Sequence, residues 1–124
     1  MPTPVRIAAA GVTVAATLND SPTAAKIAAA LPIRGQVNRW GDEIYFAIDV
    51  KDSQAADART EMRVGELAYW PAGSAFCLFW GKTPASQADE PRAYSEVNPV
   101  GIVDGDATVL AGVADGEPIT IERA

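Results

Sequence analysis

Short apolar segments separated by turn residues run through most of this chain, and they constrain its fold more than any other feature. The C-terminal third shows the pattern best, with Asp104-Gly105 and Asp115-Gly116 placed between apolar runs at 100–103, 107–113 and 119–122. Asp-Gly between apolar runs is a strong hairpin signal, because the tight turn needs positive φ angles. We therefore predict a meander of three strands in this region.

The remaining sequence predicts further strands and a single helix. Asp20 or Ser21 can cap a helix, Pro22 fits its first position, and Pro32 stops it, which places the helix at about residues 22–30. Strands are predicted at 5–9, 12–18, 33–39, 43–50, 66–70 and 76–80, and loops at 51–61 and 81–98. Eight or so short strands with one helix predict an all-β fold, a closed eight-stranded barrel that leaves no unpaired sheet edge. The length of 124 residues suits one domain, residues 1–124.

Charge and hydropathy argue against two large classes of partner. The formal net charge is −6 and the ten basic residues are scattered, so phosphate backbones and anionic lipid should be repelled. No segment approaches the ~18 consecutive apolar residues of a membrane-spanning helix. Arg6 and the apolar run at 7–18 loosely imitate a signal peptide, but Gly11 interrupts the run and threonines dilute it. We expect a cytoplasmic protein without nucleic-acid or membrane partners.

Several common catalytic groups are missing. Histidine is absent, which removes the commonest general base near neutral pH and the commonest metal ligand. Cys77 lies in an apolar run and is interpreted as a buried, inert residue. Gly81-Lys82-Thr83 lacks the first glycine of a phosphate-binding loop, because Phe76 stands at that position. We expect no metal and no cofactor.

The aromatic residues carry the remaining functional signal. Eight of the nine lie between Trp40 and Trp80, and neighbouring aromatics in a strand face opposite sides of the sheet. The outer members either pack under the helix and the 81–98 loop, or form a groove for a small molecule or peptide. The candidate ligand-binding residues are Trp40, Glu43, Tyr45, Phe46, Tyr69, Trp70 and Phe79.

Several segments also resemble a known family. They are WGDEIYF at 40–46, GELAYWP at 65–71, FWGKTP at 79–84 and NPVGI at 98–102. Together they resemble the small bacterial and archaeal cyclophilin-like family, long catalogued as a domain of unknown function. The resemblance spans nearly the whole chain and implies an eight-stranded barrel. It does not carry over the prolyl isomerase site, because the chain has no histidine and no arginine in a matching context.

Three hypotheses about function follow. The favoured one is a non-catalytic module that binds an unknown small molecule or peptide on the aromatic surface. The second is an enzyme acting on an amide or cyclic amide, which requires Glu43 to converge with Glu66 or Asp42, and the third is a divergent peptidyl-prolyl isomerase. An exposed aromatic face can also serve a homodimer. No catalytic residue is assigned.

Overall fold

The computed structural model describes residues 2–124 as ten β-strands, one α-helix and one 3₁₀ helix. In chain order the elements are β1 (Thr3–Ala9), β2 (Val12–Leu18), α1 (Pro22–Ala30), β3 (Ile33–Gln36), β4 (Asn38–Arg39), β5 (Glu43–Ala47), β6 (Arg59–Glu61), β7 (Glu66–Trp70), β8 (Ala75–Phe79), β9 (Arg92–Asp104), the 3₁₀ helix (Ala107–Gly112) and β10 (Pro118–Arg123). The protein is therefore mostly β with one short α-helix, as the sequence predicts.

The strands pair antiparallel, and their order across the sheet differs from their order along the chain. The path runs β3-β10-β1-β2-β9-β7-β8-β5-β4, and β6 pairs with β9 beside this path. Within residues 2–124 its two end strands, β3 and β4, are not hydrogen-bonded to each other. The ladder does not close, so the predicted closed barrel of eight strands is not confirmed.

The helix forms where the sequence predicts it. The Ser21 hydroxyl accepts a hydrogen bond from the Ala24 backbone N–H at 3.2 Å, which satisfies one of the free amides at the helix start. Ala24 and Ile27 are buried and attach the helix to the core. The helix ends at Ala30, two residues before Pro32.

The predicted C-terminal meander is wrong in its middle segment. Residues 107–112 form a 3₁₀ helix instead of a strand, capped by Asp106, whose side chain accepts a hydrogen bond from the Thr108 backbone N–H at 3.0 Å. Ala107, Leu110 and Val113 are buried, and their spacing of three matches the 3₁₀ period. Consequently the two Asp-Gly turns do not join neighbouring strands of a meander, although both glycines have positive φ.

The two predicted loops also contain strands. Residues 59–61 form β6, and the 81–98 segment becomes regular at Arg92, where β9 begins. The thirteen-residue β9 pairs with β6 through its first half and with β7 and β2 through its second half. The pairing register of β7 with β9 shifts between Leu67 and Ala68, so the ladder between these two strands is irregular at this point.

The central strands are buried on both faces. On β8, Phe76 and Leu78 face the main core, whereas Cys77 and Phe79 belong to a second apolar cluster on the other face. Strands buried on two sides read as continuous apolar runs, and the sequence AFCLF fits this rule. The second cluster is completed by Ala68 of β7, by Met62, and by Ala93 and Val97 of β9. It lies directly beneath the candidate site.

Gly101 provides a test of this packing, because it pairs with both Leu18 of β2 and Leu67 of β7. An added Cβ would overlap the carbonyl oxygen of Thr17 and lie 3.1 Å from the Cα of Leu18. We expect Gly101→Ala to lower the free energy of unfolding by about 1–3 kcal/mol. Urea unfolding measures the change.

Gly112→Ala is the matched control. A Cβ at Gly112 meets no atom within 4 Å, so the same substitution should change stability by less than about 0.5 kcal/mol. Equal stabilities of the two variants would contradict the packing described for β2 and β9.

Candidate functional site

A cavity of about 240 Å³ opens on the outer face of β5 and β8. We call it the aromatic pocket and define it by its eight lining residues, which are Trp40, Glu43, Tyr45, Trp70, Cys77, Ala93, Tyr94 and Val97. Most of the lining surface is apolar. A hollow of this kind, with few polar groups, is the usual form of a small-molecule site.

Strand alternation explains how these residues meet. Glu43 and Tyr45 are two apart on β5, so both point to the outer face, and Tyr45 pairs with Cys77 of β8. Trp70 ends β7 on the same face. Trp40 lies in the turn before β5, which is closed by a hydrogen bond from its backbone N–H to the Glu43 carbonyl at 3.0 Å.

Four aromatic rings form the walls of the aromatic pocket. Tyr94 lies 6.1 Å from both Trp40 and Trp70, measured between ring centroids, and Trp70 lies 6.2 Å from Tyr45. The interplanar angles are 73–79°, so each ring stands edge-on to its neighbour. Because adjoining rings are nearly perpendicular, the four rings do not form one flat stack.

Glu43 is the one carboxyl among the residues that line the pocket. Glu43 is only 5% exposed, and this burial raises the pKa of its carboxyl to about 8. A hydrogen bond with the Cys77 thiol acts in the opposite direction and lowers this pKa. Burial, followed by the neighbouring Glu43 charge, also raises the pKa of Cys77 well above its ordinary value. Near neutral pH the pocket therefore holds a neutral acid beside a neutral thiol.

The structure brings four of the seven predicted site residues together. Trp40, Glu43, Tyr45 and Trp70 line the aromatic pocket, whereas Phe46, Tyr69 and Phe79 are fully buried and do not line it. Phe46 packs against Phe76 in the main core with 5.6 Å between ring centroids. The Tyr69 hydroxyl donates a hydrogen bond to the Val50 carbonyl at 2.7 Å. Phe79 lies in the second apolar cluster beneath the pocket.

Four lining residues were missing from the sequence prediction. Cys77 was interpreted only as a buried residue, and the structure confirms its burial while also placing it in the pocket wall. Ala93, Tyr94 and Val97 belong to β9, which the sequence presented as an irregular loop. The available signal in the sequence was Tyr94, the one aromatic residue outside the 40–80 region. In the structure Tyr94 is 77% exposed and completes the ring wall.

The carboxylates required by the amide-enzyme hypothesis do not converge. Glu66 lies on β7 and forms a two-point ion pair with Arg59, with nitrogen–oxygen distances of 3.0 and 2.5 Å. Strand β8 separates Glu66 from Glu43, so the two positions are two strand spacings, about 9.5 Å, apart. Asp42 is half-buried and lies 3.8 Å from Arg39.

A larger hollow of about 440 Å³ lies beside the start of α1, and three of its polar side chains form a chain of hydrogen bonds. The Asn98 amide donates to Thr23 at 3.1 Å and accepts from the Ala55 backbone N–H at 2.8 Å. Thr23 donates to Asp52 at 2.7 Å. These bonds attach the 52–57 segment to α1 and β9, and we interpret the cluster as structural.

Neither a metal-binding cluster nor a membrane-spanning helix is present among the described residues. Across residues 2–124, no three side chains of His, Cys, Asp or Glu are grouped so that they could hold a metal ion. In the same residues no helix is both long and apolar enough to cross a bilayer.

Comparisons with known proteins agree with the architecture. Residues 3–122 match the Cyclophilin-like family. The solution structure of the hypothetical protein AF2241 from Archaeoglobus fulgidus is 39% identical, with a TM-score of 0.83, and the match covers 98% of this chain and 95% of that one. None of the curated proteins compared with the chain matches it.

A more distant structure shares the fold alone. McbB, solved in complex with tryptophan, is 18% identical, with a TM-score of 0.72. The match covers 96% of this chain and 44% of McbB, so this chain corresponds to less than half of that protein.

Glu43→Gln tests the raised pKa of the buried carboxyl. The folded pKa of about 8 lies above the ordinary value of 4.5, so the folded protein holds an extra proton between these values. Stability should therefore fall as the pH rises through this window, by at most about 1.4 kcal/mol per pH unit, and level off above about pH 8. The Gln variant cannot ionise and should lose this part of the slope. Urea unfolding between about pH 5 and 8 measures it.

Glu96→Gln, which replaces an exposed carboxyl of β9, is the matched control and should keep the slope of the unmodified protein. If Glu43→Gln and the unmodified protein give parallel curves of stability against pH, the carboxyl is not buried as described.

Proposed function

The chain belongs to the Cyclophilin-like family, and from that premise we propose that it is a non-catalytic module that binds a small molecule in the aromatic pocket. The observation that carries the proposal is a partly enclosed apolar cavity with four aromatic rings as walls and a single buried carboxyl. Folding does not require such a cavity, since a filled surface would bury more apolar area.

The volume of the pocket limits the size of the ligand. Apolar cavities of about 150 Å³ already admit a benzene ring, and drug-sized ligands occupy clefts of about 300 Å³ or more. The aromatic pocket, at about 240 Å³, lies between these sizes. It suits one ring or a compact branched group carrying a short polar substituent.

The similarly folded McbB supports the same class of ligand by analogy. It was solved with tryptophan, which combines an aromatic ring with an amine. The likeness concerns the fold, so the argument for this chain depends on its own pocket residues.

A peptide side chain or a second copy of the protein would be a different occupant. Tyr94 is 77% exposed at the rim and could contact either one. Light scattering over a range of concentrations distinguishes self-association from a small-molecule site. A constant monomer mass that is unchanged by ligand supports the small-molecule site, and a dimer that is lost in Tyr94→Ala supports self-association.

A ligand screen tests the proposed function directly. Trp40 and Trp70 line the pocket, so binding of small aromatic and branched alkyl compounds should quench tryptophan emission saturably. Tyr94→Ala should weaken binding at least about tenfold because it removes one wall. The control Val109→Ala truncates another exposed apolar residue outside the pocket and should leave the affinity unchanged. Equal affinities in the two variants, or no saturable binding across the screen, would reject the proposal.

A second candidate function is proton-transfer catalysis by Glu43. It is favoured by the position of Glu43, a buried carboxyl in the lining of the aromatic pocket, where burial raises its pKa to about 8 and so suits it to exchange protons near neutral pH. If this function holds, a bound ligand should exchange carbon-attached hydrogen for deuterium in heavy water, and Glu43→Gln should lower the rate at least about a hundredfold. Nuclear magnetic resonance of the ligand follows the exchange, and a rate equal to that in buffer excludes this function.

A further inference from the structure

The lining of the aromatic pocket contains a buried acid but no basic residue that could pair with it. Glu43 lines the pocket, and none of the eight lining residues, all within the described part of the chain, is Lys or Arg. Two basic side chains on the flanking strands already have partners. Arg59 binds Glu66, and Arg92 donates to Glu90 at 2.8 Å.

Aromatic ring faces are the other electrostatic feature of this cavity. The face of a π-system is negative, and a cation within about 6 Å of a ring centroid is attracted to it. Four aromatic rings line this small cavity, so a cation inside it would meet more than one of them. Enclosures of this kind hold quaternary ammonium groups in other proteins.

From these two features, and resting on the proposed function, we propose that the aromatic pocket selects organic cations, with the onium group held among Trp40, Trp70 and Tyr94 and with Glu43 as its counter-ion. The pocket supplies negative potential from both the rings and the carboxyl, and none of its lining residues supplies a positive charge. A neutral ligand of the same shape would gain the apolar contacts but not this attraction.

Binding of such a cation should be coupled to proton release. The empty pocket holds Glu43 protonated up to about pH 8, because burial raises the pKa of the carboxyl. A cation placed beside it favours the ionised form, so the carboxyl gives up its proton to solvent when the ligand enters. The other titratable groups on this face are Cys77 of β8, Tyr45 of β5, Tyr94 of β9, and the Glu66–Arg59 pair.

Choline and 3,3-dimethylbutan-1-ol provide a matched pair of probes. They share a branched head of nearly the same shape and a terminal hydroxyl, and they differ in the charge of the head. Choline keeps its charge at every pH, so any pH dependence of its binding belongs to the protein. Isothermal titration calorimetry in buffers of different ionisation enthalpy measures the affinity and the number of protons released.

We expect choline to bind at least about tenfold more tightly than the alcohol at about pH 8. Its affinity should fall by up to about tenfold per pH unit below that point, with nearly one proton released. Glu43→Gln should lose the pH dependence and most of the preference for choline, and the part of the preference that comes from the rings should remain. Val109→Ala should behave as the unmodified protein.

The remaining outcomes separate this inference from the proposed function. Equal binding of the two probes, or tighter binding of the alcohol, overturns the selection of cations and leaves small-molecule binding standing. Failure of choline to bind while neutral aromatic compounds quench the tryptophans does the same. Failure of every compound rejects both proposals.

Discussion

Burial of β8 on both faces is the constraint on which the rest of the structure depends. Phe76 and Leu78 require a core on one side, and Cys77 and Phe79 require a cover on the other. This cover comes from the first half of β9, which crosses the outer face of β8 before the second half of β9 joins the sheet. The aromatic pocket is the part of that face which the cover leaves open.

Much of the fold could be predicted because local signals agreed with tertiary packing. The helix has a cap, a first-turn proline and a terminating proline, and β7 is a run of apolar and aromatic residues between Gly65 and Pro71. The failures occurred where these signals conflicted. Residues 107–113 contain Val and Leu and so indicated a strand, but the capping side chain of Asp106 and burial of every third residue produce a 3₁₀ helix.

The same reasoning predicted only half of the residues that line the site. Alternation correctly requires Tyr45 and Phe46 to face opposite sides, but it does not say which of them faces the core. That choice depends on the partners across β8, where Tyr45 meets Cys77 and Phe46 meets Phe76. Tyr94 was harder to assign, because the strand that carries it is defined by long-range pairing with β6.

The alternation of β5, β7 and β8 divides two tasks between neighbouring residues. Inward positions such as Phe46 and Tyr69 fill the core, and outward positions such as Tyr45 and Trp70 line the pocket. Each task can therefore change separately in evolution. Outward residues can vary and reshape what the pocket accepts while the inward residues keep the fold, so descendants of one ancestral protein can diverge in specificity without first losing stability.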